Sequence, residues 1–150
     1  KALSLNPNEA EILAATGINL VHSGEDERGI AMMKKAIALN PRHPSWYHFA
    51  FFHYHYRRGA YEDALAAVLN ANWVGALWYH AQAVAAYGQL GRLEEAAEEV
   101  DKLLAIDPDF ADNYWDEIDK WSFREDHAQM FIDGFRKAGL EVPDRPEPTD

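Results

Sequence analysis

"KALSLNP", residues 1–7, returns as "KAIALNP" at 35–41, and a looser copy, "KLLAIDP", stands at 102–108. The first two copies are set 34 positions apart, from Lys1 to Lys35. Internal similarity at such a spacing marks stacked supersecondary units, each burying its apolar face against its neighbours. Between the copies, apolar residues recur three and four apart, the period of amphipathic helices. Punctuation falls at Ser23-Gly24, Arg58-Gly59, Leu90-Gly91 and the Asn-Pro or Asp-Pro pairs, where glycine permits a tight turn and proline stops a helix. The spacing predicts helices over 8–22, 26–39, 45–57, 61–71, 74–89, 93–105, 111–122 and 125–138, and no strand. Residues 141–150, "EVPDRPEPTD", read as a flexible tail. The chain opens on Lys1, and Lys1 to Leu5 reads as the end of a helix. It is therefore expected to be a piece of a longer protein.

The chain's 150 residues suffice for one domain with a sizeable core. It has no cysteine, which excludes disulfides, thiol nucleophiles and cysteine-ligated zinc, and fits a reducing, cytoplasmic setting. No apolar run reaches bilayer length, so no membrane partner is expected. The net charge of −11 is uneven: residues 94–150 hold 18 Asp and Glu against 6 Lys and Arg, and residues 1–93 hold 7 against 8. Such an acidic end repels phosphate backbones and argues against nucleic acid. Most of it reads as the solvated face of helices.

The punctuated units resemble the tetratricopeptide repeat family. Gly17 matches the glycine of the first helix, Gly29 and Ala36 the small slots of the second, and Pro41 the terminal proline. "GAYEDA" (59–64) and "GRLEEA" (91–96) match the turn and the second-helix start, with Ala64 and Ala96 in the small slot. The resemblance departs from the family pattern before Ala64, where one residue is added. It departs again at "NANWVG" (70–75), which lacks the proline, and at Phe52 and Val84, which hold the glycine slot. It implies an all-α solenoid of helix–turn–helix units, a right-handed superhelix. Full units are expected at about 8–41, 42–73 and 74–108, with partial units at both ends, in a domain of 1–140. "FIDGFRKAGLEVP" (131–143) also looks like the ending of repeat regions attached to bacterial class III nucleotidyl cyclases and related regulators. That likeness implies a regulatory C-terminal domain whose catalytic or DNA-binding partner precedes Lys1.

"WYHFAFFHYHYRR" (46–58) concentrates seven Phe, Tyr or Trp rings and three histidines. "WYH" recurs at 78–80. In the family, one stripe of each first helix packs between helices and another lines a concave groove. Carried onto this chain, the packing stripe is His48, Phe51, Phe52 and His55. The groove stripe is Trp46, Phe49, His53, Tyr56 and Arg57, since residues three, four and seven apart share a face. The next unit adds Trp78, Ala81, Ala85, Gly88 and Gln89, whose small members leave room. The first unit adds Ile18 and His22 beside Glu11, Ala14 and Val21, and Trp115 and Asp119 extend the groove. A helix buried on most sides explains Phe51 and Phe52, whereas Trp46, Phe49 and Tyr56 suit a binding surface, where aromatics and arginine concentrate binding energy. Arg57 offers a planar donor fork for a carboxylate.

Metal binding and catalysis have weaker support. His53 and His55 point apart on a helix, and His48 and His55 lie two turns from each other. Only a meeting of His48 with His80 across units would bring two rings together, and zinc asks for three or four ligands. No nucleophile turn or phosphate loop is present. The sequence therefore implies a non-enzymatic module without metal or cofactor that binds a protein or peptide in its groove. The alternative is a structural or dimerising module, its groove filled by the parent chain or a second copy.

Overall fold

The computed structural model describes residues 7–149, so the helix end expected at Lys1–Leu5 lies outside the described residues. Among them every regular element is a helix. These are α1 (Pro7–Ser23), α2 (Asp26–Leu39), α3 (Tyr47–Arg57), α4 (Tyr61–Ala71), α5 (Leu77–Leu90), α6 (Leu93–Ile106), α7 (Phe110–Lys120) and α8 (Glu125–Lys137). Pro7 opens α1, where a missing N–H costs nothing. Gly91, with φ +70°, closes α5 in the left-handed conformation. The proline-free junction at 70–75 ends α4 by another device: Asn72 takes φ 47°, a conformation asparagine tolerates.

The first six helices pack as consecutive pairs, α1 with α2, α3 with α4 and α5 with α6. Gly17 and Gly29 mark the first crossing. A Cβ added at Gly17 would lie 2.8 Å from the Gly29 carbonyl oxygen, and one at Gly29 2.5 Å from that of Gly17. Ala36, Ala64 and Ala96, the other small slots, are fully buried. Phe52 and Val84, in the glycine slot of the next two units, are also fully buried.

The fourth pair breaks the pattern. Helix α8 packs chiefly on α5, across the face shared by the first helices, instead of pairing along α7. Gly88 makes this possible: a Cβ there would sit 2.1 Å from the Gly134 carbonyl oxygen. The Tyr56 hydroxyl donates to the Met130 carbonyl at 2.7 Å. Phe131 stacks on Phe52 and Tyr56 with centroids 5.9 and 5.3 Å apart. Phe131 and Phe135 are fully buried, each contributing roughly 1.5–3 kcal/mol.

The stretch after α8 also packs. Gly139 turns the chain at φ +90°, and Leu140 and Val142 are buried. The Pro143 carbonyl accepts the Trp115 indole N–H at 2.9 Å, while Arg145 pairs with Glu125 at 2.6 Å and with Asp119. The loose tail expected from 141 is thus corrected at its start, because apolar Val142 and the Trp115 donor hold it down.

Candidate functional site

Beyond the N-terminal end of α8, the shared face of α1, α3 and α5 opens into a cavity of about 620 Å³. Helix α1 contributes Ala15, Ile18, Asn19 and His22, spaced so that all four share one face. Trp46, at the start of α3, adds to Phe49 and His53. Trp73 and Ala76 precede α5, which supplies Leu77, Trp78 and Gln82. Glu117 and Lys120 of α7, then Trp121 and Phe123, form the remaining wall. Four tryptophans thus surround one space.

Six residues expected in the groove meet here: Ile18, His22, Trp46, Phe49, His53 and Trp78. Tyr56, Arg57, Gln89 and Trp115 do not line it, nor do Glu11, Ala14, Val21, Ala81, Ala85, Gly88 and Asp119. Tyr56 is fully buried under α8, and its hydroxyl also accepts a bond from Gln89 Nε2 at 3.2 Å. Gln89 Oε1 in turn accepts from Lys137 at 2.7 Å, which ties it to α8. Arg57 is turned to α1 and α2, pairing with Asp26 at 2.5 Å and donating to the Val21 carbonyl at 3.0 Å. Its Nη1 and Nη2 are therefore engaged within the chain, while Nε is buried without a partner. Trp115 is buried against the tail, with Arg145 above its ring. For Tyr56, Arg57, Gln89 and Trp115 the cause is α8 or its continuation, or a carboxylate on α2, none of which a single-helix stripe reveals. Trp73, Glu117, Trp121 and Phe123 were not singled out, because three of them lie in turns or loops where helical spacing carries no signal.

The floor holds His22 and His53, and His127 lies in contact behind His53. His22 meets His53 edge-on at 4.9 Å between centroids. The Gln82 amide donates to His53 Nε2 at 3.4 Å. His53 Nδ1–H is then free to donate to His127 Nε2 at 2.9 Å. Burial drives all three toward the neutral form: His22 falls to about 4, while His53 and His127 lie well below the ordinary histidine value. Neighbouring charge adds to this, from His22 on His53 and from Arg57 on His127. The Trp121 carbonyl pulls His22 the other way, without closing a hydrogen bond of normal geometry. Both His22 ring nitrogens and Gln82 Oε1 are buried and without a partner.

On the opposite wall, Glu117 Oε2 accepts the indole N–H groups of Trp78 and Trp121 at 3.1 and 3.2 Å. Its other oxygen lies 3.7 Å from Lys120 Nζ. The suggested meeting of His48 with His80 does not occur. His48 reaches His43 at 3.3 Å, and His80 sits between Glu99 and the Val74 carbonyl at 2.6 and 2.7 Å. Among the described residues, no three His, Asp or Glu side chains converge as a metal site would require.

One segment has a match among known families. Residues 79–110 match the tetratricopeptide repeat. They run from Tyr79 through α5 and α6 to Phe110, a helix–turn–helix with Ala96 in its small slot. The all-helical architecture around this repeat is consistent with a tetratricopeptide solenoid. Such repeats typically mediate protein–protein interaction, and such domains are typically non-catalytic. No curated protein matches the chain. The repeat gives no support to the cyclase likeness of 131–143, whose Phe131, Gly134, Phe135 and Leu140 are accounted for by packing. No described helix is long and apolar enough to cross a membrane.

Proposed function

We propose that this domain binds a segment of another protein in the open end of its groove, the tryptophan-walled cavity. The observation that carries the reading is the convergence of Trp46, Trp73, Trp78 and Trp121 on one space. Trp73 and Trp121 remain 46% and 44% exposed at its edge. Large rings left at a concave, solvent-reachable site are the usual anchors of recognition. The seat of α8 adds support, since an amphipathic helix already lies on the same face.

The test is selection of peptides from a displayed random library on the immobilised domain. Selected peptides are expected to lose at least tenfold in affinity for Ala15→Trp, which fills the mouth from an exposed helix position. Equal affinity for that variant would remove the cavity from the account. A second reading, that the groove is reserved for the protein's own chain, draws on α8 itself. It predicts that α8 remains protected from hydrogen exchange and that the library yields no cavity binder.

A further inference from the structure

The cavity offers several acceptors alongside the Lys120 ammonium and the Asn19 amide. Glu117 presents a carboxylate, and Gln82 Oε1 an amide oxygen without a partner. His22, neutral, offers an acceptor nitrogen as well as a donor. Around them stand four indoles, a ring type whose face is the best π-surface for a cation. A cation already exploits this edge. Lys120 Nζ lies 5.2 Å from the Trp121 ring centroid and 3.7 Å from Glu117, with 61% of its side chain exposed and so free to leave. The chain's charge of −11 favours approach of a basic partner. Arg57, the donor expected to meet an acidic partner, is bound to Asp26.

We infer that the cavity takes a basic side chain, lysine or arginine, of the partner segment, packed on the tryptophan faces with Glu117 as its counter-charge and Lys120 as the resident it displaces. The inference rests on the proposed function, because it assigns the chemistry of what enters that site. Arginine fits most fully: its planar face stacks on an indole while its five N–H donors reach Glu117 and the open acceptors. An acidic side chain would meet the like charge of Glu117, and the cation at this wall, Lys120, already lies beside that carboxylate.

The experiment is calorimetric titration with four acetylated, amidated pentapeptides, Ala-Ala-X-Ala-Ala, where X is arginine, citrulline, leucine or glutamate. Citrulline keeps the shape of arginine without the charge. The arginine peptide is expected to bind about tenfold more tightly than the citrulline peptide. Glu117→Gln, which keeps an acceptor for both indoles, is expected to abolish that preference. Lys120→Met is expected to enlarge it. Circular dichroism establishes that both variants are folded. Equal binding of citrulline or leucine, or tighter binding of glutamate, would overturn the basic side chain and leave the groove reading standing. Absence of binding by all four peptides, together with failure of the library selection, would overturn both.

Discussion

Gly88 on α5 and Gly134 on α8 face each other so closely that a Cβ on Gly88 would lie 2.1 Å from the Gly134 carbonyl oxygen. A second close approach supports the first, since a Cβ on Gly134 would meet the Ala85 carbonyl at 2.7 Å. Two backbones touch here, and the atoms nearest a Cβ on Gly88 are all backbone, which cannot yield as a side chain would. Gly88→Ala is therefore expected to push α8 outward. The cost should reach the upper part of the roughly 1–3 kcal/mol range for overpacking, against a small gain in helix propensity. Chemical denaturation measures the loss, and hydrogen exchange should place it in α8.

The hydroxyl of Tyr56 ties the same helix by a polar contact. It donates to Met130 and accepts from Gln89, and burial raises its pKa far above the ordinary tyrosine value. Tyr56→Phe keeps the stack on Phe131 and removes the hydroxyl that bonds both the Met130 carbonyl and Gln89. A loss of about 1–2 kcal/mol is expected, with faster amide exchange across α8.

The three buried histidines set a pH dependence. Their folded-state affinity for protons is depressed below the ordinary histidine value. The unfolded chain therefore binds more protons as pH falls. Stability is full above about 6.5 and is lost between there and about 4, the His22 value. If all three take part, the slope reaches roughly 4 kcal/mol per pH unit. Denaturant midpoints across this window measure it, and His22→Phe should flatten the curve.

Arg57 is expected to act on stability and not on recognition. It pairs with Asp26 where both side chains are mostly buried. Arg57→Met should cost about 1.5–3 kcal/mol, moderated because Arg58 also reaches Asp26 at 2.9 Å. Peptide affinity at the cavity should be unchanged, which titration of the folded variant would verify.

Most of the helical layout was legible in the sequence, because apolar period, glycine turns and proline stops are local signals. The observed helices begin and end within three residues of the expected ones. The groove stripe was legible where it depended on one helix face, hence Trp46, Phe49 and His53. It was not legible where a distant element covers that face. His127, Phe131 and Phe135 stand four apart and announce an apolar face on α8, but nothing local says that it lies on Tyr56 and Gly88. Trp73 and Trp121 belong to turns, so only their exposure in the folded chain brings them forward.

The most direct test uses the tryptophans as their own reporters. Trp46, Trp73, Trp78 and Trp121 line the cavity, whereas the Trp115 indole is bound to Pro143 outside it. With the five indole N–H resonances assigned, a library-selected peptide is titrated into the ¹⁵N-labelled domain. The four cavity signals are expected to shift together along one saturation curve while Trp115 stays in place. Saturable binding that leaves those four signals unmoved, or that moves Trp115 alone, would contradict the assignment of this cavity as the recognition site.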